Sequence, residues 1–214
     1  IYEYFGDIEN AVESYRKCIE AADRVNDQNQ VSNAYNPLSG IYLDQNNPDL
    51  AFETIHKAIA IKEESGDRRG LAYSIYGRGK CHFKVEEYSK ALADFERALE
   101  IHKESADKLG LGMVYNKIGQ TYMSMNEYRL AKQHFLKAIA AASEINIKFV
   151  LFKAHYNLYL LELKQKNNDE ALHHLELYIK LKETVINNDT INIIKSYQSV
   201  KKIESLELEA KIQK

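Results

Sequence analysis

Five alanines, Ala11, Ala51, Ala91, Ala131 and Ala171, stand 40 residues apart along this chain. Seven residues after each come Cys18, Ala58, Ala98, Ala138 and Tyr178, followed by Ile19, Ile59, Leu99, Ile139 and Ile179. A period held over so many copies is the mark of a solenoid, whose units bury their apolar faces against their neighbours. Barrels, sandwiches and doubly wound sheets have no use for it.

Within a copy the apolar residues follow a helical step: Tyr88, Ala91, Leu92, Phe95, Ala98 and Leu99 lie on one stripe. The next copy repeats this with Tyr128, Ala131, Phe135, Ala138 and Ile139. A second helical segment precedes each stripe, as in Leu71 to Phe83 and Leu111 to Met123, so each unit is a helix pair. First helices are predicted near 30–45, 68–84, 108–124 and 149–165, and second helices near 8–24, 48–64, 88–104, 128–144 and 169–185.

The polar breaks NDQNQ, SGDRRG and SADKLG place Asp27, Asp67 and Asp107 on the same 40-residue step. An Asp ahead of an apolar run suits an N-cap, where its carboxylate accepts from free backbone N–H groups and meets the positive helix end. Of the two prolines, Pro48 fits a turn, while Pro37 is expected to kink or delay its helix. Small residues on the stripe mark the places where paired helices cross closely.

These residues resemble the tetratricopeptide repeat in its longer 40-residue form. In VYNKIGQTYMSMNEYRLAKQHFLKAI the matching positions are Tyr115, Ile118, Gly119, Tyr122, Tyr128, Ala131, Phe135 and Ala138. The preceding copy keeps Gly79, Tyr88, Ala91, Phe95 and Ala98 but has His82 in place of Tyr; the one before has Pro48 in its turn and Ile55 in the aromatic slot. The last copy is one residue short in its turn if Tyr156 aligns with Tyr115. The resemblance implies an all-α superhelix of helix hairpins: an array over 1–185 of about four and a half repeats, its opening helix missing. A C-terminal capping or linker helix is expected over 186–214, with Ile191, Ile194, Tyr197, Val200, Ile203 and Leu206 at steps of three. Its sequence is similar to the end of such regions in bacterial signalling proteins, where a helix leads to a histidine kinase or nucleotide cyclase. The chain opens on Ile1 in mid-pattern and reads as a piece of a longer protein.

Catalytic motifs are scarce. The stretch SIYGRGKC over 74–81 approaches a phosphate loop, but Ser74 and Cys81 replace two required residues and the stretch lies inside a predicted helix. Seven histidines show no metal-ligand spacing and are expected at the surface, although His134 and His174 occupy equivalent positions. Two cysteines exclude a disulfide framework, and Cys18, in a small-residue slot, is expected to be inert. No enzyme activity, cofactor or metal is expected for this stretch.

With a formal net charge of −2, the chain gives no global reason to bind nucleic acid or anionic membrane. Its charge is nonetheless two-sided: Lys and Arg dominate the first helices and acids outnumber them in the second. Because first helices line the concave face in the resembled family, the resemblance places the positive side in a groove. The groove residues so implied are Asn36, Tyr73, Tyr76, Lys80, Lys84, Asn116, Lys117, Gln120, Lys153 and Asn157, with Lys164, Phe83 and Met123 beside them. An Asn amide carries both a donor and an acceptor and suits an extended peptide backbone, as in peptide-sensing regulators and kinesin light chains of this family. Segregated solubility charge, and Asn merely tolerated on a wet helix face, are the plainer alternatives.

The expected function is a peptide- or protein-binding module with a preference for acidic segments, serving as the sensory part of a bacterial signal-transduction protein. A static scaffold or a homodimerisation module, paired through the C-terminal helix, is the alternative. A cytoplasmic location is expected, or a periplasmic one if a signal peptide precedes Ile1.

Overall fold

The computed structural model describes residues 8–187. These form α1 (Ile8–Arg24), α2 (Gln28–Asp44), α3 (Pro48–Ser65), α4 (Arg68–Lys84), α5 (Tyr88–Glu104), α6 (Lys108–Ser124), α7 (Tyr128–Ser143), α8 (Lys148–Lys164) and α9 (168–187), with no strand among them. The fold is an all-α superhelix of helix hairpins. The expected helix over 186–214 lies outside the described residues except for its first two positions, which continue α9.

Helix starts follow the sequence chemistry. Asp27, Asp67 and Asp107 each accept a hydrogen bond from the backbone N–H three residues on, at 3.0, 2.8 and 3.1 Å, and Asn47 does the same for Pro48-led α3 at 3.3 Å. α8 begins after Ile147, which has no side chain able to cap. Helix ends repeat at half the period: Asn26, Asn46, Gly66, Glu86, Ala106, Asn126, Asn146 and Lys166 all take positive φ, 20 residues apart. A left-handed residue reverses the chain after each helix, and only Gly66 adopts it without a Cβ penalty.

The two middle pairs, α4 with α5 and α6 with α7, each close on a glycine. A Cβ on Gly79 would sit 2.5 Å from the Phe95 ring, and one on Gly119 2.5 Å from the Phe135 ring. Both rings are fully buried, beside Ala91 with Ala98 and Ala131 with Ala138, which are also fully buried. The glycine–aromatic–alanine pattern is thus a single contact in which the aromatic ring fills the space a side chain would take.

Successive helices pack on one another throughout, and α2, α4, α6 and α8 also touch in sequence along one side. No such contact joins α3 to α5 or α5 to α7. The first helices are therefore the closer-spaced layer, which puts them on the inside of the curve.

Four expectations need correction. Pro37 does not delay its helix: α2 starts at Gln28 and runs through it, the ring removing one hydrogen bond to the Asn33 carbonyl. The last repeat is not short, since α8 begins 40 residues after α6 and Leu158 fills the buried position of Ile118. Asn157 therefore occupies the position equivalent to Lys117, one step round the helix from Asn116. Cys18 is exposed, because among the described residues nothing covers the slot that Ala58, Ala98 and Ala138 bury in later repeats. Lastly, His102 is fully buried and His134 is partly buried against Tyr115 and Tyr122, rather than at the surface.

Candidate binding groove

The inner layer encloses a groove of about 800 Å³, built from α2, α4, α6 and α8 and closed at one end by Tyr178 of α9. Eight of the ten residues expected there line it: Tyr76, Lys80, Lys84, Asn116, Lys117, Gln120, Lys153 and Asn157. Asn36 and Tyr73 do not. Asn36 lies one turn before Gly40, where α2 joins the wall, and its Oδ1 is buried without a hydrogen-bond partner among the described residues. Tyr73 sits in the second turn of α4, where its hydroxyl donates to Asp107 Oδ2 at 2.8 Å and its ring meets His102 edge-on at 4.8 Å. Burial and the Asp107 carboxylate push its phenol up to about 12. It locks one repeat to the next.

Sequence reasoning missed the aromatic end of the groove. Phe149, Phe152 and Tyr156 line it from α8, and Tyr178 stacks beside them, 4.9 Å from Tyr156 and 6.0 Å from Phe152 between ring centroids. The signal was legible, since Phe149, Phe152 and Tyr156 follow the i, i+3, i+7 spacing of one helix face.

The groove lysines lie over aromatic rings. Lys80 Nζ is 5.8 Å from the Tyr76 centroid, Lys117 Nζ 5.3 Å from Phe83 and Lys153 Nζ 4.1 Å from Phe149. None of Lys80, Lys84, Lys117 and Lys153 forms an ion pair among the described residues, and Asp44 is the one acid in the wall. Several cations elsewhere are matched: Lys57 with Glu53 at 2.6 Å, Lys108 with Glu144 at 2.7 Å, Lys132 with Glu162 at 2.6 Å, and Arg78 bidentate on Asp94 at 2.6 and 2.9 Å. Burial, then the Lys80 and Lys153 charges, push Lys117 down to about 8, with Asp44 pulling the other way. Burial and Lys80 lower Lys153 as well.

The asparagines form a chain across two helices. Asn157 Nδ2 donates to Asn116 Oδ1 at 2.8 Å, and Gln120 Nε2 donates to Asn157 Oδ1 at 3.1 Å. Asn116 and Asn157 are only 6% and 3% exposed, so they are not the wet amides the sequence suggested. Their mutual bonds offset the burial of polar groups and fix the orientation of each amide. Beyond the groove, His155 Nδ1 and His174 Nδ1 are 3.2 Å apart at the junction of α8 and α9. No helix among the described residues is long and apolar enough to cross a membrane.

Sequence models of the tetratricopeptide repeat match residues 70–144 and 1–24. The chain is a tetratricopeptide-repeat protein, built on a protein-interaction fold. It is similar in structure to a Rap protein complexed with competence and sporulation factor (TM-score 0.77, 18% identity, 84% of this chain and 50% of that one). BtubC from P. vanneervenii (0.67, 18%, 86% and 76%) shares the fold. So does a signal transduction ATPase with numerous domains and a tetratricopeptide repeat sensor from Pyrococcus horikoshii (0.63, 21%, 86% and 30%). The chain thus spans half the Rap protein and under a third of the ATPase. No curated protein matches it in sequence.

Proposed function

We propose that this chain is the peptide-sensing part of a signal-transduction protein, and that its inner groove holds an extended acidic segment of a partner. The observation that carries this reading is the set of unpaired lysines. Four cations, Lys80, Lys84, Lys117 and Lys153, share a partly enclosed wall with one acid, and none of them forms an ion pair among the described residues. Gathering like charge without partners opposes folding, and an anionic ligand reverses that penalty. Apolar floor from Phe83, Phe149 and Phe152 supplies contact area, and Gln120, oriented by the buried asparagine pair, offers its amide to a peptide backbone. The Rap protein of similar fold was solved in complex with competence and sporulation factor, which supports a ligand-binding reading of the fold.

The test is capture of a labelled acidic peptide library by the wild-type chain and by Lys80→Glu with Lys153→Glu. Selective binding to the wild type, weakened at least tenfold in the variant and by added salt, supports the groove. Equal binding by both proteins rules it out.

A second reading rests on a different surface. Leu172, Ile179 and Ile186 stand seven residues apart on α9 and are 56%, 47% and 44% exposed. That spacing suits a helix–helix seam, so the chain serves also, or instead, as a dimerisation module. Sedimentation of wild type against Ile179→Lys decides it: a monomeric wild type removes this reading.

A further inference from the structure

Lys117 stands apart from the other groove lysines. It projects from α6, the middle of three stacked first helices, with Lys80 on α4 and Lys153 on α8 to either side. Its Nζ rests over the Phe83 ring at 5.3 Å, and Asp44 on α2 is the acid that faces the cluster. Three ammonium groups on an apolar floor repel one another, and the least costly relief is for the most buried to give up its proton. That group is Lys117, held down to about 8. About a tenth of its side chain is then free amine at pH 7, against less than roughly a thousandth for an ordinary lysine. A desolvated lysine beside other cations is the arrangement that makes an amine nucleophilic.

We propose that Lys117 is an acylation site, taking acyl groups from small acyl phosphates gathered by Lys80 and Lys153. The donor's phosphate is anionic, so the two flanking ammonium groups concentrate it beside the neutral amine. The Lys117 Nζ lone pair attacks the acyl carbonyl carbon and forms a C–N bond. The bond from that carbon to the bridging oxygen breaks, and inorganic phosphate leaves with the electron pair, stabilised by Lys80 and Lys153. The proton lost from nitrogen passes to the departing phosphate or to water. The product is a neutral amide, so the groove loses the charge at its centre. The acylation stands on its own geometry; its effect on peptide capture rests on the proposed function.

Acetyl phosphate is the probe, with the uncharged thioester S-acetyl-N-acetylcysteamine as the comparison donor. Native protein is treated with each, quenched and digested, and acetyl occupancy at every lysine is read by mass spectrometry. Exposed Lys103 and Lys180, which form no ion pair among the described residues, are internal references. With acetyl phosphate Lys117 is modified on the order of tenfold faster than either reference. Its preference over them is smaller with the thioester. Replacing Lys80 and Lys153 by Gln removes the acetyl phosphate preference. Modification of Lys117 no faster than of Lys103 overturns the proposal, and equal preference with both donors overturns the role of the flanking lysines. Because occupancy is read without any peptide, a groove that binds none leaves this result intact.

Discussion

Asn157 reaches across from α8 to donate its side-chain amide to Asn116 on α6, and both residues are buried. The bond joins two first helices that also touch each other directly, and so helps fix their spacing on the inner face. Replacing Asn116 by Ala leaves the Asn157 amide buried without its acceptor, a loss of about 1 to 3 kcal/mol. Replacing both removes donor and acceptor together and costs less than the two single changes summed. Urea unfolding of the three variants measures this coupling, and strict additivity would show that the bond carries no energy.

Gly119 faces the Phe135 ring so closely that a methyl group meets it at 2.5 Å, with the Ala131 carbonyl oxygen at 3.1 Å. The ring is fully buried and the nearest backbone belongs to α7, so the hairpin must open to admit the methyl. Gly119→Ala gains helix propensity, worth about 1 kcal/mol, but loses about 1 to 3 kcal/mol to overpacking. The net expectation is a lower melting temperature. Ala91→Leu, at a fully buried position with no compensating propensity gain, falls further.

What was legible in the sequence was whatever the repeat restates. Helix boundaries, the Asp caps and the glycine–aromatic contact recur at fixed steps, so each copy corroborates the others, and every helix predicted between residues 8 and 185 appears within a few residues. What escaped was set by single positions and by contacts across repeats. Tyr73 carries the type and helix position of a groove residue, yet Asp107, 34 residues on, captures its hydroxyl. Asn157 was assigned to the wrong register because its Tyr-Asn neighbourhood copies that of Asn116, whereas the buried Leu158 fixes the true alignment. Cys18 sits in a packing slot by period but is exposed for want of a covering helix among the described residues.

The buried histidines make stability depend on mild acid. Burial and Lys137 push His134 down to about 4, and burial with His174 and His173 does the same to His155. In the unfolded chain both titrate near 6.5, so below that pH the unfolded state binds more protons and stability falls. The contribution is complete above about 6.5 and is lost as pH drops from there towards 4. Asp67 and Asp107, held below the usual carboxylate range, are lost only at still lower pH. His134→Phe keeps the contact with Tyr115 and Tyr122 without a titrating group. Its stability between pH 6.5 and 4 should fall less steeply than that of the wild type, as read by urea midpoints; parallel curves would show that His134 is not held neutral.

Asp107 holds three groups at the junction of the middle repeats: the Gly110 N–H at 3.1 Å, the Tyr73 hydroxyl at 2.8 Å and Arg69 Nε at 3.0 Å. Two of these come from α4, a full repeat away in sequence, so the carboxylate both starts α6 and ties it to α4. Asp107→Ala removes the cap, worth about 1 kcal/mol, and orphans the half-buried Tyr73 hydroxyl for about 1 to 3 kcal/mol more. Asp107→Asn keeps its oxygen for the Gly110 N–H, and the amide nitrogen that replaces Oδ2 donates to the Tyr73 hydroxyl oxygen, but the acceptor and charge that hold Arg69, whose side chain is largely exposed, are given up. The amide variant should therefore recover most of what alanine loses, with hydrogen exchange at the start of α6 restored to near the wild-type level. Equal destabilisation by Asn and Ala would instead make the ion pair with Arg69 the source of the junction's stability.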